Sequence, residues 1–149
     1  MLSTGVPESL LTGHELPFVL RLAVSLLCGF LIGIERESRG KPAGISTNSF
    51  VIGGAAMFCY VSMAVDPNSP ARIAAQVVSG VGFLGAGMIL KSDTGTVTNL
   101  TTAAAVWFAA AIGVSIGFGW FLIAVIATLY AIVVPRIPHI SAWARGNDT

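Results

Sequence analysis

Charge is scarce in this chain. Eight Lys and Arg and seven Asp and Glu make up 10% of 149 residues, where soluble domains carry about 25%. That scarcity excludes an ordinary soluble domain, and a net charge of +1 gives no basic surface for a nucleic acid. Cysteine is rarer still. Cys28 and Cys59 both fall inside apolar stretches, which excludes the disulfide framework of a small exported protein and leaves them as small apolar residues. Histidine is limited to His14 and His139, near opposite interfaces, so the two cannot share a metal. The opening MLSTGVPESLLTGHEL has no basic n-region and no cleavage site leading into its apolar stretch, and is not read as a signal peptide.

What the chain has is hydrophobicity: 54% of its residues, with a mean hydropathy of +0.82. A helical span needs about 20 predominantly apolar residues, and five stretches supply them, at 17–34, 46–65, 70–90, 99–117 and 120–134. None carries the wide polar stripe of a helix in a soluble bundle. The pattern predicts an all-α polytopic transmembrane bundle. Residues 1–16 are then an extracytoplasmic segment, 17–135 the membrane domain and 136–149 a cytoplasmic tail. Alternating the loops across a membrane puts Arg36, Arg39, Lys41, Lys91, Arg136 and Arg145 on one side and only Arg21 and Arg72 on the other. The positive-inside rule then places the N-terminus outside and the C-terminus in the cytoplasm.

Glycine is abundant, with 17 residues. GVGFLG at 80–85 spells G-x-G-x-x-G, yet it lies in an uncharged run from Ile73 to Leu90, and the next acid, Asp93, comes too soon to hold a ribose. A nucleotide site is not expected. In lipid, close helix packing relies on small residues that let backbones approach. Gly29 and Gly33 form GxxxG in the first span, and Gly113 and Gly117 form it in the fourth. In the third span Gly80 and Gly87 share one face and Gly82 and Gly85 another, which predicts a third span at the centre of the bundle, touching at least two neighbours.

Ionisable groups within a membrane are expensive and usually functional. Arg21 lies one turn into the first span, and Asp66 and Arg72 flank the second loop on the same side, so an Arg21–Asp66 pair is geometrically allowed. Arg72, Gln76, Ser79 and Gly80 follow helical spacing and make one polar, small face. On the cytoplasmic side Glu35 and Arg36 end the first span, and Glu35–Arg39 and Glu37–Lys41 have the spacing of surface ion pairs. Asn99 or Thr98 is expected to cap the fourth span, which Thr101 and Thr102 open. Glu35, Arg36, Thr101 and Thr102, with Lys41 and Lys91, form a candidate polar patch at the cytoplasmic rim for contact with another membrane protein.

The blocks GFLIGIERE, AGISTNS, SPARIAAQVVSGVGFLGAGMILK and LTTAAAVWFAAAIGVSIGFG, in this order, resemble the membrane domain of the MgtC/SapB family over about Arg21 to Val134. The resemblance implies a bacterial inner-membrane protein associated with magnesium limitation and, in pathogens, with survival inside macrophages. It implies a regulator of membrane partners such as the proton-driven ATP synthase rather than an enzyme, although the family carries an old label as magnesium transporters. The matching positions are Gly33, Glu35 and Arg36; Arg72 and Gln76; Gly80, Gly82, Gly85 and Gly87; and Leu100, Thr101 and Thr102. Ser46 stands where many members have arginine, and Thr101 where members tied to virulence often have asparagine. Many members continue into a cytoplasmic ligand-binding-like domain, for which 149 residues leave no room.

Two functional classes follow: a partner-binding regulator and a small magnesium-related transporter or channel. No acidic residue lies deep in any span, and Asp66 and Glu35 offer carboxylates to magnesium only at the rims. That favours the regulator over a pore lined by carbonyls, Gln76 and threonines. No catalytic residue, cofactor or metal ligand is expected; the expected partners are the lipid bilayer, another inner-membrane complex and a second copy of the chain.

Overall fold

The apolar runs become five helices, and the turns between them are set by glycine and proline. A computed structural model describes residues 13–91 and 95–137. Its elements are α1 (Glu15–Ser38), α2 (Ile45–Val65), α3 (Ala71–Met88), α4 (Leu100–Gly117) and α5 (Phe121–Val133), the last running into a 3-10 turn at Val134–Arg136. Four of the helices, α1 to α4, are long and apolar enough to cross a membrane. The fifth, with 13 helical residues and the 3-10 turn, reaches about 26 Å. The sequence-based spans and these helices agree to within a few residues. The largest difference is at α1, which continues through Glu35–Ser38, residues that sustain a helix well, and stops where Gly40 takes a φ of +61°.

Between α3 and α4 the chain makes a minimal antiparallel ladder, β1 (Leu90–Lys91) with β2 (Val97–Thr98), pairing Leu90 with Thr98 and Lys91 with Val97. Asn99 follows in the left-handed region at φ +63° and makes no side-chain cap to α4, so the expected asparagine cap is not formed.

Packing follows the two GxxxG pairs. A Cβ added at Gly29 would lie 2.5 Å from Ser49 Cα, and one at Gly33 would overlap Ile45 Cα, so α1 lies directly on the α2 backbone. A Cβ at Gly113 would overlap the Ile52 carbonyl oxygen, and one at Gly117 would lie 2.6 Å from Cys59 Cβ, so α4 lies just as closely on α2, further along the helix. Cys28, Ile32, Ile52, Ala56, Ala109, Ile112 and Ile116 fill the resulting core, with Ala124 of α5 against it. Cys28 and Cys59 are buried free thiols, as small apolar residues should be.

The third span is not at the centre. Only Val77, Val81 and Gly85 of α3 are buried, 17% of the helix, whereas half of α4 is buried. Helix α3 does touch two neighbours, α2 and α4, but it does so from the periphery. Gly85 faces Ala103 of α4 at ordinary contact distance, and a Cβ at Gly80, Gly82 or Gly87 would meet nothing within 4 Å. Small residues permit close approach without requiring it, and the chain spends its close contacts on α1, α2 and α4.

Candidate functional site

Two polar groupings sit at opposite ends of the bundle. At the end formed by the start of α1 and the α2–α3 and α4–α5 turns, Arg21 donates from Nε to the Gly117 carbonyl at 3.1 Å and from Nη1 to the Pro17 carbonyl at 3.0 Å. Its guanidinium lies 4.5 Å from the Tyr60 ring centroid and 5.8 Å from that of Phe121. Tyr60 in turn donates to the His14 carbonyl at 2.9 Å. Arg21 therefore locks α1 to the turn before α5 and has no ion pair with Asp66. Asp66 instead faces Arg72 at 3.9 Å, between two exposed or half-exposed side chains. Gln76 is exposed and lines the groove between α2 and α3, below Asp66 and Arg72.

The other end holds the denser cluster. Glu35, Arg36 and Thr102 are 2%, 3% and 3% exposed, so three of the six residues expected at a contact rim are inside the protein. The sequence reads Glu35 and Arg36 as interfacial because they end an apolar run; the turn at 39–44, the start of α4 and the end of α5 then close over them. Arg36 Nη2 donates to Thr102 Oγ1 at 2.6 Å, joining α1 to the first turn of α4, and lies 3.5 Å from the Pro42 carbonyl oxygen. Glu35 Oε1 accepts from Arg39 Nη1 at 3.0 Å and lies 3.9 Å from Arg136 Nε. Arg39 also donates to the Pro135 carbonyl at 2.5 Å. The expected Glu35–Arg39 pair thus forms, but on a buried carboxylate rather than at the surface.

Glu37 does not pair with Lys41, because the helix ends before that turn completes. Its Oε1 accepts the Ile45 N–H at 2.9 Å and packs against Gly44, where a Cβ would collide with it. Thr101, one residue before the buried Thr102, is exposed and lines a groove between α4 and α5.

Asn48 was not singled out by sequence reasoning, and it is 1% exposed in this cluster. Its Nδ2 donates to the carbonyls of Ala43 at 2.6 Å and Gly44 at 2.9 Å, closing the α1–α2 turn in which Ala43 holds a φ of +61°. An amide in the first turn of an apolar span was the available signal. Arg136 reads from the sequence only as a topogenic charge, and its place beside Glu35, like the Arg39 bond to Pro135, needed the return of α5 to the same end.

Several buried polar atoms have no hydrogen-bond partner among the described residues: Glu35 Oε2, Arg36 Nε and Asn48 Oδ1 at this end, and Ser25 Oγ and Ser49 Oγ at the α1–α2 crossing. Among the described residues no three His, Cys, Asp or Glu side chains converge to hold a metal. His139, Lys91's side chain, Asp93, Arg145, the terminal segments 1–12 and 138–149 and any part they play lie outside the described residues.

A multi-pass helical membrane protein with a buried arginine–carboxylate–threonine cluster at one end is the class that these features define. Residues 22–139 match the MgtC family, and the chain belongs to it. Protein MgtC of Salmonella typhimurium is 50% identical over 113 residues, covering 76% of this chain and 48% of the relative. Protein MgtC of Brucella abortus is 48% identical over 114 residues, with the same two shares. An uncharacterized protein of Synechocystis is 46% identical over 116 residues, 77% of this chain and 49% of its own length. The chain spans about half the length of these curated relatives. No solved structure matches it.

Proposed function

We propose that this protein is an inner-membrane regulator of other membrane proteins, linked to magnesium homeostasis and to survival inside host cells, and not itself a magnesium transporter. The observation that carries this reading is the state of its interior. Helices α1, α2 and α4 meet at backbone distance through Gly29, Gly33, Gly113 and Gly117, and isoleucines fill the space between them. Glu35, the buried acid among the described residues, is engaged by Arg39 and Arg136. Magnesium sheds water reluctantly and wants carboxylates with room for retained waters; a carboxylate shared between arginines in a close-packed bundle offers neither.

In this reading the charges sort as in an inner-membrane protein. Arg36, Arg39, Lys41 and Arg136 share one end of the bundle and Arg21 and Arg72 the other, which supports a cytoplasmic α1–α2 turn and C-terminus. The buried Glu35–Arg36–Thr102 cluster fixes the helix ends, and the exposed Arg39, Lys41 and Thr101 around it face the partner. The proton-driven ATP synthase is the partner that the family resemblance suggests.

Reconstitution tests this directly. Liposomes holding only the purified protein should take up magnesium no faster than empty liposomes under an imposed gradient, and tagged protein should co-purify with the synthase from membranes grown at limiting magnesium. Saturable magnesium uptake by the pure protein would overturn the regulator reading in favour of a transporter.

A further inference from the structure

At the Arg36 end, the groove between α4 and α5 has a volume of about 300 Å³ and is lined by both polar and apolar groups. Its polar end consists of Arg36 and Thr101. Its apolar wall runs along α4 through Ala104, Ala105, Trp107 and Phe108 and faces Tyr130, Ala131 and Val134. From Thr101 to Phe108 the wall is about 10 Å long at the helical rise. Trp107 and Tyr130 are each about half exposed, at the mouth of the groove.

Three independent features make the polar end a seat for an anion. Arg36 is buried and lines the groove, and its Nε has no partner among the described residues. Leu100, Thr101 and Thr102 form the first turn of α4, whose N–H groups have no intrahelical acceptor, and the Asn99 side chain does not cap them. Such a turn attracts negative charge. The surrounding charges leave an excess of cation: Arg36, Arg39, Lys41 and Arg136 against Glu35 and Glu37, with Glu35 already shared by two arginines. A basic pocket between helices that opens sideways into an apolar groove has the chemistry for an anionic phospholipid headgroup.

We propose that this groove binds one anionic membrane phospholipid. Its phosphodiester sits on Arg36, Arg136 and the first turn of α4, and the upper part of one acyl chain lies between Trp107 and Tyr130. Guanidinium groups recognise phosphate by charge-assisted hydrogen bonds, and the lipid supplies the counter-charge that Glu35 and Glu37 do not. The site does not depend on which partner the protein regulates.

The full chain in a neutral detergent, titrated with phosphatidylglycerol, phosphatidylcholine of the same acyl chains, or inorganic phosphate, gives the test. Phosphatidylglycerol should raise the melting temperature saturably and survive as a one-to-one adduct in native mass spectrometry. The other two should do neither. A104W, which fills the groove from its wall, should melt like the wild type without lipid, and R136Q, which removes one of the two arginines at Glu35, is compared with its own lipid-free melt. R136Q should bind phosphatidylglycerol about fivefold more weakly, the effect of one arginine near a charged headgroup, and A104W should lose the adduct. Equal stabilisation by phosphatidylcholine would reduce the groove to general lipid contact, and an equal shift with phosphate would make it a free-anion site; either overturns the proposal. So would undiminished phosphatidylglycerol binding in both variants.

Discussion

Arg36 and Thr102 come from helices 66 positions apart and meet at 2.6 Å with both side chains buried. A hydrogen bond to a charged group contributes about 1.5–3 kcal/mol net, and more is lost when one partner stays buried and unpaired. Thr102→Val should therefore lower thermal stability in detergent by about that amount. Arg36→Ala should be at least as damaging, because it leaves the Thr102 hydroxyl and the Pro42 carbonyl without their donor. A double-mutant cycle checks the pairing: coupling of about 0.5–3 kcal/mol is the expectation for residues in one network, and additive effects would show that the contact has no energetic weight. A simple membrane anchor would instead tolerate Arg36→Ala at no cost, since Arg39 and Lys41 preserve the charge of that end. Arg21 illustrates a second use of a charge near a membrane boundary. Its guanidinium is held by two carbonyls and the faces of Tyr60 and Phe121, a planar arrangement that lysine cannot reproduce.

At the level of helices, the glycines divide into two kinds that look alike in sequence. Gly33 of α1 and Gly113 of α4 lie where an added Cβ would overlap the backbone of α2, and Gly80 and Gly82 of α3 lie in open space. Gly33→Ala and Gly113→Ala should both force helices apart and lower the melting temperature sharply, as overpacking costs about 1–3 kcal/mol and backbone is slow to yield. Gly82→Ala should leave the protein intact or raise its stability by up to about 1 kcal/mol from helix propensity. Circular dichroism melts of the three variants side by side decide the matter, and a Gly82→Ala protein as unstable as Gly33→Ala would return α3 to the centre of the bundle. The periodic spacing of small residues was legible for α1, α3 and α4 alike. Which of them met a neighbour was not, because the close approach of α1 and α4 to α2 depends on the whole set of contacts.

For the whole molecule, five consecutive antiparallel helices put the α1–α2 turn, the β1–β2 ladder and the end of α5 together at one end. Phosphatase inserted in the α2–α3 turn at 66–70 should be active in the periplasm, and phosphatase fused after residue 137 should be inactive. The reverse pattern would invert the proposed orientation. The same arrangement gathers the polar cross-links of the bundle at that end: Arg36 ties α1 to α4, Arg39 and Arg136 tie α1 to the end of α5, and Asn48 closes the α1–α2 turn. Four chain segments share one small network, while the far end is held mainly by Arg21 and ring contacts.

The sequence by itself determined the class, the number of helices and nearly all of their boundaries, because a span in lipid must be long, apolar and helical, and each of those demands is local. It also pointed to the charged residues Arg21, Glu35 and Arg36, since charge inside or beside an apolar run is visible by inspection, but not to Asn48. Only the tertiary structure decided that Glu35 and Arg36 are interior, that Arg21 binds carbonyls and aromatic faces while Asp66 faces Arg72, and that α4 rather than α3 lies at the centre. Burial and pairing depend on where distant segments return. Lipid gives no hydrophobic incentive that would let periodicity alone announce a buried face.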